Sequence, residues 1–104
     1  MLISTTDIIP DREITQTIGL VKGSTARARN VGRDIMAMAK NIVGGEVREY
    51  TKLIAEAREQ ALDRLKEEAT KLGADGVVAV RFASSVVSQG VSEILVYGTA
   101  VKLK

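Results

Sequence analysis

From residue 46 to residue 72 the apolar side chains recur at gaps of three and four. Val47, Tyr50, Ile54, Ala57, Ala61, Leu65 and Leu72 form the stripe, and Leu53 and Leu62 widen it. That period turns one face toward a core and predicts a single amphipathic helix. The other face is charged, and pairs such as Lys52–Glu56, Arg64–Glu68 and Glu67–Lys71 stand one turn apart, where they attract weakly. Gly44-Gly45 opens the segment, and Gly73 is placed to take the left-handed conformation that ends helices.

The period changes to two on either side. Residues 14–26 alternate, with Ile14, Gln16, Ile18 and Leu20 on one face and Thr15, Thr17, Gly19 and Val21 on the other, which predicts a strand. Gly19 and Gly23 would permit a bulge or a close neighbour there. Residues 77–83 and 93–103 are apolar on both faces, and Gln89-Gly90 between them marks the turn of an antiparallel hairpin. Residues 1–6 read as a short strand or a docked tail, and the only proline, Pro10, marks a turn. A short helix is expected over residues 32–43, with Asn30 as its N-cap and Ile35, Met38, Ala39 and Ile42 on one face. The glycine pair would then start the long helix on a new axis.

These elements compose an α+β, two-layer fold: a small antiparallel sheet in the order strand-helix-strand-strand, packed on one long helix, plus one short helix. A chain of 104 residues is expected to form a single domain over residues 1–104. One helix covers one sheet face. The other face, with Val77, Ala79, Ile94, Val96, Gly98 and Ala100, is expected to stay uncovered and so to serve as an interface with a second copy.

Composition strengthens the case for self-association. The apolar residues are mostly small aliphatics, with only Tyr50, Phe82 and Tyr97 aromatic, so the core gains less per residue than an aromatic one. The net charge of +2 is too small to imply nucleic acid or a membrane. No run of apolar residues is long enough to cross a bilayer and no basic-then-apolar leader is visible, so a cytoplasmic location is expected.

Candidate chemistry is sparse. Residues 19–25 resemble a phosphate loop only in composition, because Lys22 precedes Gly23 rather than Ser24. Lys22, Arg27, Arg29 and Arg33 form a basic cluster that could take an anion or nucleic acid, near Glu46 and Tyr50. No aromatic side chain interleaves the basic ones, so base stacking is unsupported. With no His as general base, catalysis is not expected. With no Cys and no His, no metal site and no cofactor is evident.

Several blocks carry a family resemblance. Val31-Gly32-Arg33-Asp34-Ile35, Asn41-Ile42-Val43-Gly44-Gly45-Glu46, Tyr50 and Glu56-Ala57-Arg58-Glu59-Gln60-Ala61 resemble the YbjQ-like family of small bacterial and archaeal proteins. So do Leu72-Gly73-Ala74-Asp75-Gly76-Val77 and Tyr97-Gly98-Thr99-Ala100-Val101, though the family usually has Asn at the position of Asp75. The resemblance implies a dodecin-like subunit assembled as a homopentamer, and a family label of heavy-metal binding. It implies no assigned activity.

Overall fold

The structure, a computed structural model, describes residues 1–25, 48–88 and 91–104. In chain order the elements are β1 (Leu2–Ile3), β2 (Ile14–Ser24), α1 (Arg48–Lys71), β3 (Gly76–Ser88) and β4 (Val91–Leu103). They form one four-stranded sheet in the order β1-β3-β4-β2, with α1 packed on β2 and β4. Both β2 and β3 run antiparallel to β4, while β1 is parallel to β3, so the sheet is mixed rather than wholly antiparallel. The expected short helix, the Gly44-Gly45 corner and the Gln89-Gly90 turn lie outside the described residues.

The helix forms where the period of three and four predicts it. Ala57, Ala61, Leu65 and Ala69 are buried at a spacing of four, with Ile54 and Leu62 partly buried beside them. Leu72 is half exposed, because the helix has already ended. Ala74 N–H donates to Ala69 C=O at 3.0 Å and Gly73 N–H to Thr70 C=O at 3.0 Å, with Gly73 at φ +76°. This pair of bonds satisfies the last carbonyls through a left-handed residue, as the position of Gly73 predicts. Asp75 then fastens the start of β3 to the end of β4: its N–H donates to Val101 C=O at 2.9 Å, and its carboxylate accepts from Leu103 N–H at 2.9 Å.

The helix lies on the sheet face that the sequence reading leaves empty. Val77, Ile94, Val96 and Ala100 are buried in one cluster with Ala57, Ala61, Leu65 and Val21, and Gly98 is buried beside them. Ala79 is half-buried. The expectation that this face stays open is therefore corrected: these side chains form the chain's own core. The physical reason is size. A small-residue face lets a helix come close, and a Cβ added at Gly23 of β2 would stand 2.1 Å from Ala61 C=O and 2.5 Å from Leu65 N–H of α1. The opposite face carries Leu20, Leu95, Tyr97 and Thr99, with Leu20 67% and Tyr97 38% exposed.

One kink shapes β3. Its register against β4 shifts between Val78 and Arg81, so Ala79 and Val80 together face Gly98. Ala79 sits at φ +54°, a left-handed conformation that costs a non-glycine residue about 1 kcal/mol. Gly98 accommodates the bulge, since a Cβ there would lie 2.7 Å from Val77 Cγ1. The N-terminal segment pins the bulge from outside. Ala79 N–H donates to Thr6 C=O at 2.9 Å, Val80 N–H to Ser4 C=O at 3.0 Å, and the Arg81 guanidinium to Thr5 C=O at 2.8 Å. Ala79→Gly is expected to relieve the strain and raise stability by about 0.5 kcal/mol, after the larger entropy of glycine in the unfolded chain is subtracted. A denaturant midpoint at or below that of the unsubstituted protein would contradict this account.

Candidate functional site

The groove that contains Lys22 is built by one edge strand and one charged helix face. Lys22, Gly23 and Ser24 of β2 line one side, and Arg64, Glu67, Glu68 and Lys71 of α1 line the other, around a volume of about 460 Å³. Among the described residues β2 is the outermost strand on this side of the sheet. The helix side is charged because these four residues lie off the Ala57–Ala61–Leu65–Ala69 stripe that faces the sheet. The Arg64 guanidinium is half-buried and donates to Ser24 C=O, which ties helix to strand. With three cations and two carboxylates the groove is close to balanced, so it has no strong preference for anions.

Lys22 is the one member of the predicted basic cluster that falls within the described residues. Arg27, Arg29, Arg33 and Glu46 lie outside them, and Tyr50 is in the first turn of α1. The sequence reading missed Arg64, Glu67, Glu68 and Lys71 as neighbours of Lys22. The available signal was the gap of three and four that places all four on one side of the helix, but periodicity alone does not say which strand that side borders.

A second groove, of about 240 Å³, lies between the first half of α1 and the far half of the hairpin. Ile54, Phe82 and Ile94 give it an apolar surface, and Arg58 stands at its side. Phe82 pairs across the ladder with the buried Val96, so its ring is on the α1 side of the sheet. It is nonetheless 51% exposed, since among the described residues α1 packs mainly on β2 and β4. Burial elsewhere is orderly: the one buried polar side chain of the described core, Thr25, exchanges hydrogen bonds with Ile94 through its N–H and hydroxyl.

Over its whole length, residues 1–104, the chain matches a family model described as "Putative heavy-metal-binding". The chain belongs to the YbjQ family. It is 53% identical over 103 residues to a UPF0145 protein of Methanosarcina acetivorans, covering 99% of this chain and 97% of that one. A UPF0145 protein of Archaeoglobus fulgidus is 52% identical over 104 residues, covering 100% and 96%. Among solved structures, a protein of unknown function of the DUF74 family from Pediococcus pentosaceus superposes with a TM-score of 0.56 at 20% identity, covering 100% of this chain and 98% of that one. That likeness speaks for the fold alone.

The donor set does not fit the metal that the family description names. Soft and borderline ions take thiolate or imidazole ligands, and the sequence contains no Cys and no His. Among the described residues no three carboxylates stand close enough to share an ion. Equilibrium dialysis against zinc or copper is expected to leave less than one ion per chain after a weak chelator. Stoichiometric metal that survives the chelator would refute this. No helix among the described residues is long and apolar enough to cross a membrane.

Proposed function

We propose that the protein is a non-catalytic cytoplasmic homo-oligomer. In this reading dodecin-like subunits close into a ring of five that holds an ion or small ligand at its subunit boundaries. The observation that carries the reading is the exposure of Leu20, Phe82 and Tyr97 on the sheet of a chain whose buried core is made of small aliphatics. Burying such side chains stabilises by roughly 25 cal/mol per Å² of apolar surface, which favours assembly over an isolated chain. The number five rests on the family resemblance, since sheet geometry alone does not count copies.

Light scattering on the purified protein tests it. The expected mass is about 56 kDa, five times the 11.2 kDa chain. A stable species of one chain at micromolar concentration would overturn the proposal, whereas another closed number would revise only the count. Native mass spectrometry of the same sample reads any retained ligand as added mass.

A second reading, binding of an anion or nucleic acid through Lys22 and the basic residues that follow it, gains Arg64 and Lys71 as neighbours in the groove. Glu67 and Glu68 in the same groove weigh against it. A strongly salt-dependent shift with nucleic acid would favour this second reading.

A further inference from the structure

The pairing register shows what stands on the sheet face away from α1. Val21 and Gly23 of β2 face the helix: Val21 is fully buried in the helix–sheet cluster, and a Cβ at Gly23 would strike α1. Strand alternation puts Leu20, Lys22 and Ser24 on the outer face. Directly paired residues share a face, and Lys22 pairs with Tyr97 of β4, which in turn pairs with Arg81 of β3. One rung of the sheet therefore reads Lys22, Tyr97, Arg81, with the ring on a central strand and a cation on either side. All three residues are exposed. The next rung reads Ser24, Leu95, Ala83, so Leu95 is flanked by short side chains. Glu93, one rung further on, is the one acidic residue in the four described strands.

We propose that this face binds single-stranded nucleic acid: one base stacks on the Tyr97 ring, and Lys22 and Arg81 hold the phosphates to either side. The inference rests on the second reading above and gives it a surface away from Glu67 and Glu68. It leaves Leu20 and Phe82 for contacts between copies. Along the sequence no aromatic stands among the basic residues, but the sheet sets one between two of them.

Charge and shape select this occupant. An exposed ring offers stacking to any base, and flanking cations suit a chain that carries a phosphate on each side of every base. Lys22 and Arg81 lie two strand spacings apart, about 10 Å between their backbones, so the ring and both cations fall within one short stretch of chain. Arg81 is already oriented: its guanidinium donates from one nitrogen to Thr5 C=O at 2.8 Å and to Val80 C=O at 2.9 Å, which engages two of its five N–H groups. In a duplex the base faces are stacked on one another, whereas an unpaired strand can turn a base onto a flat sheet. A sheet with a helix behind it and an aromatic on a central strand takes unstacked bases in this way.

The chain has no Trp and two Tyr, so Tyr50→Phe leaves Tyr97 as the only source of tyrosine fluorescence. Adding short oligothymidylate to that full-length variant at low salt is expected to quench the emission. Equal quenching by duplex DNA of the same length would overturn the choice of a single strand. In anisotropy with dye-labelled oligothymidylate, Tyr97→Ala is expected to weaken binding about tenfold and Tyr97→Phe to retain it. Lys22→Gln is expected to make the log–log salt slope shallower by about 0.7. Circular dichroism checks that each variant folds, and if Tyr97→Ala does not, the quenching decides. Binding without quenching, or binding that Tyr97→Ala leaves unchanged, would overturn the stacking site while leaving the basic reading intact. No binding at low salt would overturn both. Light scattering on Tyr97→Ala is expected to give the mass of the unsubstituted protein. A fall in mass would make Tyr97 a contact between copies and overturn the proposal.

Discussion

Gly23→Val is expected to cost about 3 kcal/mol or more, and to leave little folded protein at 37 °C. The first atom of any side chain at this position would sit 2.1 Å from Ala61 C=O and 2.5 Å from Leu65 N–H. Both are helix backbone, so no rotamer change relieves the clash. Either α1 lifts off β2, opening the cluster of Val21, Ala61 and Leu65, or the strand bends away from β4. Both routes lose burial comparable to the net stability of a typical domain. Urea unfolding followed by circular dichroism measures the effect. A variant within 1 kcal/mol of the unsubstituted protein would mean that α1 does not rest on β2 as described.

Leu65→Ala is the second large effect, at about 3 kcal/mol. Leu65 is the largest of the fully buried side chains and belongs to the helix–sheet cluster. Its neighbours in that cluster are mostly Ala and Val, which are too short to reach into the space left behind. Leu72→Ala is the matched control. The same helical stripe contains both leucines, yet Leu72 is 49% exposed and its truncation is expected to cost less than about 1 kcal/mol. The structure therefore separates two residues that the sequence pattern treats alike. Equal losses in thermal unfolding would contradict the placement of the helix end.

The glycines show how legibility varied. Gly73 was readable because its requirement is local: a residue after a helical stripe, free to adopt positive φ, closes the last turn. Gly23 was readable as a close approach, but its neighbour was not, since the approaching helix lies about forty residues further along the chain. Gly98 read as a small residue on a face expected to meet a second copy. Its role follows from the β3 bulge opposite, which a period of two cannot encode.

Local periodicity determined the long helix, the three long strands and their hairpin pairing, because amphipathic period and turn residues act within a few positions of each other. The missing Cys and His fixed the poor fit to soft metals without any structure, since ligand chemistry depends on residue type before geometry. The sequence reading assigned the helix to the wrong sheet face, because β3 and β4 are apolar on both faces and their pattern does not rank the two. Packing decided it: α1 took the face with Gly23 and Ala100, where backbones come closest, and left Leu20 and Tyr97 outside. The tertiary structure also brought Lys22 beside Arg64 and Lys71 and left Phe82 half exposed. Those placements depend on the angle between helix and sheet, a property of side-chain volumes summed over the whole interface, which no stretch of sequence carries by itself.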